Sequence, residues 1–161
     1  MIDARRALVL SLAFSLGFAA VVDAASTLMT GLRGPRTELL QGLNDTRAAH
    51  GAPPLRASRN LAHAARRQAM RVARFGSAIA DPAQLERVAR EGGWRGSGAI
   101  TALVQSRVPA SKDWLRSTRD AWLAEPGTRR RLLDTAANAA AIAVLMRSDG
   151  SRLCVVLLAS D

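Results

Sequence analysis

The order of segments predicts an α+β domain: a three-layer α-β-α sandwich around a small, mainly antiparallel sheet that ends in a C-terminal hairpin. Three observations lead there. Amphipathic helical patterns occupy most of positions 37 to 134, a β-branched run interrupts them at 97 to 105, and two apolar runs close the chain on either side of Asp149-Gly150. Those last runs lack polar alternation, the pattern of strands covered by helices on both faces. With 161 residues, 48% of them hydrophobic, the chain supports one compact core and is too short for two.

Taken in order, Thr37 is placed to cap a first helix carrying Leu39, Leu40 and Leu43, which Gly51 and Pro53-Pro54 stop. A second helix is expected from Ser58 to Phe75. It puts Leu61, Ala65, Ala69, Val72 and Ala73 on one side and Arg59, Arg66, Arg67 and Arg74 on the other, with Gly76 ending it. Asp81-Pro82-Ala83-Gln84 reads as a capping box with Pro in the first turn, opening a third helix that Gly92-Gly93 breaks. A strand follows from Ser97 to Gln105. Ser111 is then expected to cap a helix bearing Trp114, Leu115, Thr118, Ala121 and Trp122, closed by Pro126-Gly127, with one more turn from Arg129 to Asp134. The terminal strands, Ala139 to Met146 and Leu153 to Ala159, are joined by a turn in which Asp-Gly supplies positive φ.

Ahead of the domain, Arg5 and Arg6 precede an uncharged run from Ala7 to Val22 and the small residues Ala24-Ala25-Ser26, the order of an export signal. That run falls short of the roughly 20 residues a membrane-spanning helix needs, so residues 1–24 are expected to be a cleaved signal peptide, with retention as a membrane anchor the alternative. Residues 25–36 read as a linker and 37–160 as the domain. Twenty-three Lys+Arg against 13 Asp+Glu give a net charge of +10, and Asp3 and Asp23 cancel Arg5 and Arg6, so the basic character belongs to the domain itself. All the basic residues but Lys112 are arginine.

Several classes of chemistry are poorly supplied. A single cysteine, Cys154, excludes an internal disulfide framework and a cysteine-based zinc site, and His50 and His63 are the only histidines. His63 falls in the arginine phase of its helix and reads as solvated. His50 reads as a helix C-terminal residue facing the negative end of the dipole, and Cys154, within an apolar run, as a small buried hydrophobe. No base is recognisable that could activate a hydroxyl nucleophile.

Beyond these local patterns, three stretches carry a wider likeness. They are Leu43-Asn44-Asp45-Thr46-Arg47 running on to Gly51 and Pro54-Leu55, Leu85 to Trp94 with its Gly-aromatic end, and Trp122 followed by Pro126-Gly127-Thr128-Arg129 and Leu132-Leu133. In order and spacing the chain resembles the CAP superfamily, the cysteine-rich secretory, antigen five and pathogenesis-related group, in its compact bacterial form, over about Leu39 to Ala159. The resemblance implies an exported protein with a cavity of two histidines and one or two glutamates able to hold a divalent cation. Here that set is missing. Gly-Ser-Ala stands at 76 to 78 where the first histidine is expected, Gly98 occupies the glutamate position of Ser97-Gly98-Ala99-Ile100, and Thr128 replaces the second histidine. Only Glu125 could echo a family carboxylate. The relict cavity positions are therefore Gly98, Glu125 and Thr128, with no metal, no cofactor and no catalytic residue expected.

The functional expectation is an exported, non-catalytic CAP-like binding module of the cell envelope or extracellular space, whether periplasmic, secreted or membrane-attached. Its arginine faces, Arg59, Arg66, Arg67 and Arg74 with Arg129, Arg130 and Arg131, are candidates to contact an anionic lipid, an envelope polymer or an acidic protein surface. Few aromatic residues interleave with the basic ones, which argues against a nucleic-acid partner. The alternative reading is a hydrolase-like enzyme with a cavity rearranged around Glu125 and Thr128.

Overall fold

A computed structural model describes Thr27–Leu28, residues 33–76 and residues 81–160. The expected leader, residues 1–24, lies outside the described residues. The elements run β1 (Thr27–Leu28), α1 (Arg33–Ala49), β2 (Arg56–Ala57), α2 (Arg59–Phe75), α3 (Pro82–Glu91), β3 (Ile100–Val108), α4 (Trp114–Ala124), α5 (Pro126–Leu132), β4 (Ala139–Met146) and β5 (Arg152–Ala159). The strand order is β1-β4-β5-β3, with β2 also on the outer side of β4. All pairs are antiparallel except β2 with β4.

Central β5 is buried from Leu153 to Ala159, and its alternation sorts the core into two layers. Leu153, Val155, Leu157 and Ala159 point to the α2 and α3 side, where Leu61, Ala65, Ala69, Val72, Leu85 and Trp94 meet them. Cys154, Val156 and Leu158 point to the other side, against Leu39 and Leu43 of α1, Trp114 and Trp122 of α4 and Leu132 of α5. A strand buried on both faces has no polar phase to show, hence its unbroken apolar sequence. The predicted three-layer sandwich is the observed fold.

Several boundaries differ from the sequence expectation, each for a local reason. α1 begins at Arg33, four residues before Thr37, and takes Gly34 and Pro35 into its first turn, where a missing N–H breaks no helical bond. Thr27–Leu28, within the expected linker, pairs with Met146 and Leu145. α4 is entered at Asp113 rather than Ser111, because the Ser111 N–H is bonded back to the Pro109 carbonyl and residues 112–113 form a turn before the helix. Pro126-Gly127 does not end the helical region: Glu125 is both the last cap of α4 and the N-cap of α5, with Pro126 in first position. β3 starts later and runs further than Ser97 to Gln105 predicted. Between Gln105 and Val108 it carries one extra residue, with Arg107 at φ 57°, and this bulge returns Val108 to the α4 side beside Leu103. The hairpin turn is as expected, with Gly150 at φ 77° and the Asp149 carboxylate accepting from the Ser151 N–H and hydroxyl.

Candidate functional site

The relict cavity positions divide in the structure. Glu125 and Thr128 sit together at the α4–α5 corner. The Glu125 carboxylate accepts from the Gly127 N–H at 2.9 Å and from the Thr128 N–H. A hydrogen bond from the Thr128 hydroxyl, then those two backbone donors, hold its carboxyl below the ordinary carboxylate range, and Arg131 adds a smaller pull. The pair is a helix cap: its lone pairs are committed to backbone and hydroxyl donors, and its acidity is moved away from that of a base working near neutrality. Gly98 lies instead against Ser160, past the end of β5. A Cβ at 98 would collide with the Ser160 hydroxyl and stand 2.9 Å from its carbonyl oxygen. Any side chain at the position where the resemblance implies a carboxylate would therefore have to displace Ser160.

Of the remaining family position, 76 to 78, only Gly76 is among the described residues, and it caps the C-terminal end of α2. Gly98, two residues before Ile100 in register with Ala159 and Ala139, belongs to the end where α2 begins. Seventeen helical residues, roughly 25 Å, separate the two ends. Among the described residues no three His, Cys, Asp or Glu side chains come together in a way that could hold a metal ion. His50 lies just past α1, its Nδ1 donating to the Thr46 carbonyl at 2.9 Å, and His63 is exposed on α2. Cys154 is fully buried, and desolvation pushes its thiol up to about 12. The residues present do not fit the divalent cation that the resemblance implies.

Two residues of the first stretch owe their place to architecture. The Asn44 side chain both donates to the Leu55 carbonyl at 3.0 Å and accepts from the Leu55 N–H at 2.8 Å, clamping the loop after α1. Arg47 is fully buried and spreads its guanidinium over three carbonyls, those of Pro53, Leu132 and Ala137, at 2.7, 2.5 and 2.8 Å. It ties α1 to the end of α5 and to the entry into β4. In the sequence Arg47 stands only as part of a motif, and its spacing from Asn44 carries no sign that the side chain turns inward.

The two arginine sets are exposed as predicted, yet they do not form one surface. Arg59, Arg66, Arg67 and Arg74 lie on α2, on one side of the sheet, while Arg129, Arg130 and Arg131 lie on α5, whose Leu132 packs on the other. One flat partner cannot meet both. α2 holds no Asp or Glu, and it carries both exposed large apolar side chains of the described residues, Met70 at 53% and Phe75 at 64% exposure. Arg74 stacks over the Phe75 ring at 5.2 Å. The last turn of α5, by contrast, places its three arginines where the helix dipole is negative.

Comparison with known proteins decides the family. The model of the cysteine-rich secretory protein family, CAP, matches residues 40–158. The chain belongs to the CAP family. Solved structures share the fold of this CAP domain at low identity. An outer surface protein of Borrelia burgdorferi matches with a TM-score of 0.63 and 17% identity, over 80% of this chain and 94% of that one. A cysteine-rich secretory protein of Staphylococcus aureus matches with a TM-score of 0.64 and 16% identity, over 79% of this chain and 38% of that one. An extracellular protein containing an SCP domain from Bacillus anthracis matches with a TM-score of 0.65 and 14% identity, over 80% and 41%. The CAP chain thus spans well under half of the latter two. Among curated proteins, none matches it by sequence. Despite the family's description, this CAP domain has one cysteine, buried and free.

Proposed function

We propose that this chain is an exported, non-catalytic CAP domain of the cell envelope or extracellular space that docks on an anionic surface through the outer face of α2. One observation carries the reading: four exposed arginines share a helix that has no acidic residue, and the exposed Met70 and Phe75 lie on that same helix. Arginines beside exposed apolar side chains suit a charged interface with an apolar margin, such as an anionic lipid surface. The fold neighbours described as outer surface, secretory and extracellular proteins support export. The capping role of Glu125 and Thr128 and the closed position at Gly98 support a domain without a catalytic centre.

The test is co-sedimentation with vesicles of phosphatidylcholine containing phosphatidylglycerol, as salt is raised. Each basic residue near such a surface contributes about 1 kcal/mol, about fivefold in affinity. Arg66→Glu with Arg67→Glu and Arg74→Glu is therefore expected to abolish binding, while Arg129→Glu with Arg130→Glu and Arg131→Glu leaves most of it. Equal losses in the two triple variants, or binding indifferent to salt, would refute the α2 face as the contact.

A further inference from the structure

Where the first turn of α2 meets the segment after α3, a cleft of about 540 Å³ opens at one end of the sandwich. Arg56, Ser58 and Arg59 form one wall, and Trp94, Arg95 and Gly96 the other. No Asp or Glu is among the lining residues, so three arginines and no carboxylate line one concave space. The Arg95 Nη1 donates weakly, at 3.3 Å, to the Arg90 and Trp94 carbonyls, which leaves its other donors for a ligand. The α2 N-terminus adds its own positive end. Ser58 accepts from the Leu61 N–H, and Arg59 and Asn60, the first two residues of the helix, are among the lining residues. Such a helix end together with arginine forks is the combination that recognises phosphate.

A second feature points the same way without relying on charge. Trp94 is only 3% exposed, and its indole Nε1 is buried with no hydrogen-bond partner among the described residues. A buried indole N–H normally finds an acceptor, and Trp94, unlike the likewise unpartnered Trp122, is a residue of this cleft. Gly96 packs its backbone on the ring edge next to that nitrogen: a Cβ at 96 would collide with Trp94 Cζ2 and stand 2.7 Å from Cε2 and 2.8 Å from the Ser160 carbonyl oxygen, so only glycine fits between the indole and Ser160.

We infer that this cleft binds a phosphate ester, with Arg59 and Arg95 gripping the phosphate oxygens, the α2 N-terminus facing their charge, and Trp94 Nε1 donating a single orienting hydrogen bond. The inference goes beyond docking by the α2 face and stands without it, since surface attraction requires neither a cleft nor an indole donor. The shared ligand chemistry is the phosphate monoester, free in solution or as a lipid headgroup.

The experiment uses the indole N–H resonances of the full domain, one each from Trp94, Trp114 and Trp122. Glycerol 3-phosphate is expected to move the Trp94 resonance downfield in a saturable manner. The equally buried Trp122 indole, which also has no partner among the described residues and does not line the cleft, stays in place as internal control. Chloride at matched ionic strength should leave all three unmoved. Arg59→Gln with Arg95→Gln, both changes at exposed positions, should weaken the glycerol 3-phosphate response at least tenfold. Preference for vesicles of phosphatidic acid over phosphatidylglycerol at equal charge, lost in that double variant, would assign the headgroup as source; response to the soluble ester alone would assign the free form. A Trp94 resonance unmoved by every phosphate probe, moved equally by chloride, or shifted unchanged in the double variant would overturn the site. None of those outcomes bears on Arg66, Arg67 and Arg74, so the two readings fail separately.

Discussion

Replacing Arg47 by methionine keeps most of the aliphatic stem and removes three donors at once. The carbonyls of Pro53, Leu132 and Ala137 would then lose the guanidinium that now lies 2.5 to 2.8 Å away. Hydrogen bonds to a charged group contribute about 1.5–3 kcal/mol each, but their sum overstates the loss because the variant also escapes the cost of burying a charge. That cost is visible in the guanidinium itself, whose pKa is lowered by desolvation, with Asp134 pulling it partly back up. The net expectation is a loss of about 3–5 kcal/mol, a large share of the 5–15 kcal/mol typical of a domain. Arg47→Lys keeps the charge but can reach fewer of the three carbonyls, and leaving two of them without a donor should cost about 2–4 kcal/mol. Urea unfolding followed by circular dichroism and tryptophan fluorescence reads both values, with an unchanged m-value showing that the unfolded state is unaltered. If Arg47→Met unfolds within about 1 kcal/mol of the parent, the three-way tie is not a main support of the domain and the reasoning fails.

Further outcomes follow from single sites. The Cys154 thiol should resist thiol reagents in native protein and react only on unfolding; because its pKa is raised to about 12 in the fold, stability should hold below about pH 9 and fall by about 1.4 kcal/mol per pH unit above it, a slope that Cys154→Ala removes. Glu125 titrates lower in the fold than in the unfolded chain, so its contribution is present above the ordinary carboxylate range and lost as pH falls through its lowered value; thermal melts of Glu125→Gln should show a flatter acid limb and a lower Tm at neutral pH. Gly98→Ala should destabilise by about 1–3 kcal/mol, measured by denaturant unfolding, because the new Cβ meets the Ser160 hydroxyl and carbonyl. Gly98→Glu, which restores the family's residue type, should destabilise further and show no gain in zinc affinity by calorimetry.

Elements whose cause is local were legible in the residues alone. The arginine and alanine phases of α2, Asp81 ahead of Pro82 in α3, and Asp149-Gly150 at the hairpin each specify their conformation within a few positions, and the structure has them there. The boundaries that moved depend on what lies beyond that window. α1 starts early through a proline that the first turn tolerates, and β1 and β2 are too short to carry a pattern and exist only because β4 offers its edge. The missing cavity ligands could likewise be read from residue types at 98 and 128, whereas the contacts that close Gly98 against Ser160 and turn Glu125 into a cap could not.

What the sequence determined by itself is the layer order and the sign of the charge, because periodicity, turn chemistry and composition act along the chain, while the order and spacing of three motifs carried the resemblance to the family. Only the tertiary structure decided how the charges group. A sheet between α2 and α5 puts the two arginine sets on opposite sides, and the return of α3 brings Trp94 and Arg95 beside Arg56 and Arg59, nearly forty positions earlier in the chain. Hydrophobic burial selects which faces turn inward, and the arrangement of polar groups left outside follows from how the layers stack rather than from the order of residues.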